Sequence, residues 1–177
     1  MLFRSALVGS VLLFAGTRRD LRAGQAGKVL VARTAVPILA SGLAGLVAVV
    51  TVASLSDAWT NFWELWAYRW LATATAMSVL TALFSWLGFP ALLLGVPLVF
   101  YQAVVGGALV PPAAAPAWLA WLGSAPFHEA TIGLRTLLIG GPPDTVPWYP
   151  LTAYSAGAIV AVWIGVVLWS VRGRGGG

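Results

Sequence analysis

The side chains that could do chemistry in this chain are few, and they cluster late. His128, Glu129 and Arg135 fall within eight positions, followed by Asp144 and Tyr149. His and Glu side by side supply a base and an acid. Catalysis needs a third group held in register, and no Ser/His/Asp arrangement, His-Glu-x-x-His pair or phosphate-binding glycine loop accompanies them. The chain has no cysteine, one histidine and five carboxylates. Thiolate metal sites and disulfides are therefore excluded, and neither a metal site nor a catalytic residue is assigned. The chain reads as a non-enzyme with no cofactor. Two further polar groups stand in apolar surroundings. Arg69 lies among Trp66, Tyr68 and Trp70, and Gln102 follows Pro97 and precedes Gly106-Gly107. Arg69 either snorkels to the headgroups within an aromatic belt formed with Trp59, Phe62 and Trp63, or pairs inside the protein with Glu64 or Glu129. Gln102 is either interhelical packing glue or a polar point on a translocation path.

The elements that must hold these groups are membrane helices. The 177 residues are 60% hydrophobic and 8% charged, against about 25% charged in soluble domains. From Trp70 to Phe127 there is no Asp, Glu, Lys or Arg. About 20 apolar residues span a bilayer core. Runs near 34–55, 66–87, 89–110 and 151–171 meet that length, and a shorter one, 2–16, is read as a fifth span. The net charge of +5 marks topology and not nucleic acid, since no basic patch interleaves with stacking aromatics. Arg18, Arg19, Arg22, Lys28 and Arg33 make 17–33 a cytoplasmic loop, which also suits docking of a cytoplasmic partner or anionic lipid. Asp57 and Glu64 put the next loop outside. The chain is expected to start outside and to end in the cytoplasm at Arg172 and Arg174. Nine arginines against one lysine suit a bacterial, GC-rich source.

The segment 111–150 holds eight of the eleven prolines, too many for one helix. It is expected outside the membrane or re-entrant, as two short helices starting near Pro116 and Pro126. The second ends at Gly140-Gly141 and carries Phe127, Ala130, Leu134 and Leu137 or Leu138 on one face, with His128 and Arg135 in line on another. Pro97 kinks its helix, and Gly106-Gly107 gives a close approach or a break. The expected fold is an all-α integral membrane protein of about five spans, with a broken helical pair before the last.

The ordered set Gln102, Gly106-Gly107, Pro111, Pro116, Pro126, Ala130, Gly133-Leu134-Arg135 and Gly140-Gly141 resembles the C-terminal membrane region of YhgE/Pip-type (phage infection) proteins, which in turn resemble type-2 ABC-exporter permeases. The resemblance covers residues 7–171. It implies a multi-pass cell-membrane subunit that exports a hydrophobic or envelope-associated substrate as a homo- or hetero-oligomer, with any ATPase on a separate chain. The family's first span and large extracytoplasmic domain have no counterpart in this sequence, which suggests a split or truncated relative. His128-Glu129 stands where the family has a more apolar or Thr/Tyr-containing stretch. The alternative is a non-transporting scaffold or accessory subunit of an envelope or secretion complex.

Overall fold

A computed structural model describes residues 2–22, 25–56, 59–97, 126–139, 142 and 146–174. These form five helices and a helical stub: α1 (Leu2–Arg22), α2 (Ala26–Ser56), α3 (Phe62–Leu87), the stub 91–97, α4 (Pro126–Leu138) and α5 (Trp148–Arg174). No strand occurs among the described residues. Among the described residues, three helices are long and apolar enough to cross a membrane, Ala26–Leu55, Phe62–Leu87 and Trp148–Val171.

α3 is the axis of the bundle. Its most apolar stretch is 67% buried, against 22% in α2 and 28% in α5. Every residue from Ala72 to Ser78 is buried, a helix covered on all sides. The sequence allows this because Ala72, Ala74, Ala76 and Ala82 are small enough to admit neighbouring backbones. Three of the interspersed hydroxyls donate within the helix: Thr73 to the Arg69 carbonyl, Thr75 to Leu71 and Ser85 to Thr81.

Contacts fix the relative directions. Ser10 meets Met77 and Phe14 stacks on Phe84, so α1 runs parallel to α3. α2 is antiparallel to it, with Arg33 at Ser85, the Ile38 carbonyl accepting from Trp70, and the Gly42 carbonyl accepting from Trp66. α5 is parallel, with Trp148 at Tyr68, the Leu151 carbonyl at Thr75 and the Ala161 carbonyl at Trp86. After α3, Gly88 adopts φ +68°, a left-handed conformation that glycine takes without a Cβ penalty. The stub then turns back, Ala91 packing beside Phe84 and Gly95 beside Leu80.

The helices overrun the boundaries that charge suggested. The stretch 17–33 is not a loop: α1 continues to Arg22 and α2 starts at Ala26. The Gln25 amide donates to the Asp20 carbonyl across the link. At 1.5 Å per residue the 31-residue α2 is about 46 Å long, so a span can carry basic residues on the same continuous helix. The apolar part of α1, Leu7–Arg18, is shorter than a span. The expected span 89–110 is described only to Pro97, and the first short helix near Pro116 lies outside the described residues.

Candidate functional site

Two polar places are built into the bundle, one at each end of α3. At the end where α3 begins, aromatic side chains climb the helix. Trp59 stacks on Phe62, Phe62 meets Trp63 edge-on, and Trp66 and Trp70 stack at 5.2 Å. The indole N–H groups of Trp66 and Trp70 donate to α2 carbonyls at 3.1 and 2.7 Å. On another side of α3, Tyr68 is fully buried. Its ring meets Trp148 edge-on at 5.0 Å, and its hydroxyl donates to the Glu129 backbone carbonyl at 2.8 Å.

Gly133 sits one turn along α4 from Glu129, and a Cβ there would overlap the Tyr68 ring and hydroxyl. Ala130, Leu134 and Leu137 pack on the same cluster as Tyr68 and Leu65, which is the apolar face that spacing predicts; Leu138 is exposed. Tyr68→Phe is expected to cost about 0.5–1.5 kcal/mol, the worth of one net hydrogen bond. The Glu129 carbonyl keeps its helical position, so the loss should register as a small fall in thermal midpoint in detergent, with no change in far-UV circular dichroism.

The polar residues expected together at this end are described only in part. Arg69 is half-buried and makes no ion pair with Glu64 or Glu129; its Nε has no hydrogen-bond partner among the described residues. Glu129 contributes its backbone carbonyl to Tyr68. Arg135 is exposed and engaged with a neighbour. The His128 backbone lies in α4, but its side chain is outside the description, as are Gln102, Gly106, Gly107, Gly140 and Gly141. Pro97 is exposed at the end of the stub.

The other end holds a residue that sequence reasoning misassigned. Arg33, expected as a topological charge in a loop, is inside α2 and 2% exposed. Its Nε–H donates to Thr17 Oγ1 and its Nη1–H to Ser85 Oγ, each at 3.0 Å. Its guanidinium lies 4.9 Å from the centroid of the Phe14 ring, within cation–π range. Both hydroxyls are oriented by their own bonds, Thr17 donating to the Leu13 carbonyl at 2.7 Å and Ser85 to Thr81 at 2.8 Å. Thr81 and Ser10 continue the polar seam between α1 and α3.

Nη2 has no hydrogen-bond partner among the described residues, and the groups that hold Arg33 are two neutral hydroxyls and a ring. Four residues on, Pro37 is buried within α2. Proline has no N–H, so the helix does not donate to the Arg33 carbonyl either. A charge out of water with no opposite charge beside it is costly. The signal in the sequence was the spacing: Ser10 and Thr17 are seven apart, as are Ser78 and Ser85 with Thr81 between them. Each set makes a hydroxyl stripe on one helix face.

Around this seam the cytoplasmic docking candidates are arranged differently. Arg18 is exposed, 5.4 Å above the Phe89 ring, and Lys28 is exposed. The side chains of Arg19 and Arg22 are outside the description. A separate open groove of about 420 Å³ runs between α3 and α5 beside Val79, Trp86, Tyr154 and Gly157. It is apolar, and nothing reactive converges on it. No group of three metal-ligating side chains occurs among the described residues.

No family model, curated protein or solved structure matches this chain.

Proposed function

We propose that the chain is a permease-like membrane subunit that exports an anionic, envelope-associated amphiphile and works in an oligomer with a separate ATPase. The observation that carries this is Arg33, a buried guanidinium without a carboxylate partner among the described residues, where α1, α2 and α3 meet. Ionisable groups inside membrane bundles are expensive and commonly mark ion or substrate paths. The ordered motif set that resembles YhgE/Pip-type membrane regions supports the same reading. So does the scarcity of groups for covalent chemistry, which leaves helix rearrangement as the means of moving a substrate. In this reading the protein is a multi-pass component of a bacterial cell membrane, with its N-terminus outside and its C-terminus in the cytoplasm.

The test is purification in mild detergent from the native host, followed by reconstitution. An ATPase is expected to co-purify. The reconstituted complex is expected to move a fluorescent anionic phospholipid analogue between leaflets faster than protein-free vesicles, in an ATP-dependent manner. If no ATPase is retained and leaflet exchange matches empty vesicles, the chain is a scaffold or accessory subunit instead.

A further inference from the structure

We propose that Arg33 is the recognition group of an oxyanion site, and that the oxyanion is a phosphate. This deepens the permease reading and rests on it for the role of the site, although the binding itself is measured separately.

Guanidinium offers five N–H donors in a planar fork. The Nε–H and one Nη1–H are spent on Thr17 and Ser85, and those two hydroxyls are locked by bonds to their own helices. The fork therefore cannot rotate without breaking bonds to two different helices. Nη2 is left unpartnered among the described residues while the side chain is 2% exposed.

A buried donor held this way is preorganised to meet an acceptor oxygen. The ring of Phe14 occupies one face of the guanidinium, and the edge carrying Nη2 is left as the donor edge for an incoming group. Planar, edge-on approach is how arginine takes phosphate and carboxylate oxygens.

Phosphate is favoured over carboxylate by location. Thr17, which binds Arg33, is followed at once by Arg18, which is exposed and braced on Phe89. Lys28 is exposed toward the start of α2, the helix that carries Arg33. Basic side chains near a helix end attract anionic headgroups at about 1 kcal/mol each. Those outer cations would gather anionic lipid or free phosphate, and Arg33 is the desolvated donor behind them. Pro37 supports the same design. By removing one helix bond at the Arg33 carbonyl, it leaves the turn that carries Arg33 less tightly bonded than the rest of α2, which suits a site that must open for its ligand.

The experiment uses the full chain in detergent and counts bound ligand by native mass spectrometry. Phosphatidic acid is compared with diacylglycerol of the same acyl chains, and inorganic phosphate is titrated as a competitor. The wild-type chain is expected to retain phosphatidic acid and not diacylglycerol. Arg33→Gln is expected to weaken retention about ten- to a hundredfold, as the loss of one charge-assisted contact implies. Arg18→Gln is expected to weaken it by no more than about fivefold, as for an exposed charge.

Competition by phosphate at millimolar concentration assigns the site to the free anion. Its absence, with phosphatidic acid retained, assigns the site to the lipid headgroup. Equal retention by wild type and Arg33→Gln overturns the proposal, as does equal retention of diacylglycerol. Arg33→Lys guards against misfolding: it keeps the charge but lacks the planar fork that bonds Thr17 and Ser85 and still presents an in-plane donor, so intermediate retention by a folded Arg33→Lys chain is also expected. Binding without leaflet exchange or ATPase partnership would keep this site and remove the permease reading.

Discussion

Gly133→Ala is expected to loosen α4 from the bundle and to lower stability by about 1–3 kcal/mol, the usual cost of forcing extra carbon into a packed contact. The added methyl would overlap the Tyr68 ring and hydroxyl. Tyr68 has nowhere to go. It is fully buried, pinned by Trp148 at 5.0 Å and bonded to the Glu129 carbonyl one turn from the glycine itself. The backbone of α4 must therefore lift, and Ala130 and Leu137 lose their contacts with it.

The control is Gly157→Ala in α5, where a methyl would meet nothing within 4 Å. Taken alone, alanine favours a helix over glycine by about 0.8–1.0 kcal/mol, so this variant should hold or raise the thermal midpoint. Opposite signs from the same chemical change, read by tryptophan fluorescence during thermal unfolding in detergent, would establish that α4 is seated on Tyr68. A neutral Gly133→Ala would mean that it is not. The double variant Tyr68→Ala with Gly133→Ala should lose less than the sum of the two single losses, because removing the ring makes room for the methyl.

The contrast between α4 and Arg33 shows what kind of information sequence carries. The face Ala130–Leu134–Leu137 was legible because helical spacing is a local property. The three long spans were legible because a bilayer demands apolar length, whatever the neighbours are. The seating of α4 on Tyr68 was not, since the glycine that permits it looks like any other until a ring from another helix comes within reach. Arg33 was misread for a deeper reason. Charge rules treat a basic residue at the start of an apolar run as a marker of the membrane boundary. Arg18 is exposed and raises no conflict with that rule. The rule fails when Thr17 and Ser85, far away in sequence, supply acceptors that let a guanidinium stay inside. Arg69 is the intermediate case: its half-buried position beside the aromatic ladder fits snorkelling, and the expected carboxylate partners are not joined to it.

Replacing Arg33 with methionine is expected to stabilise the ligand-free chain by about 1–4 kcal/mol, the range found when buried ionic groups give way to apolar side chains of similar volume. Ordinarily, removing one member of a buried polar cluster strands the others. Here it does not. Thr17 still donates to the Leu13 carbonyl and Ser85 to the Thr81 carbonyl, so neither hydroxyl proton is orphaned, and methionine can lie on the Phe14 ring as the guanidinium does. What disappears is a desolvated charge supported by two neutral acceptors and a ring.

The same substitution should abolish any stabilisation by phosphatidic acid, because the wild-type chain gains from a bound anion and the variant cannot. The difference in thermal midpoint between the two chains should therefore shrink, or reverse, as phosphatidic acid is added. A large loss of stability in ligand-free Arg33→Met would show that the arginine clamps three helices together and waits for no anion. A gain that closes with added phosphatidic acid would show the reverse: the fold tolerates a costly charge at this position because a ligand completes it.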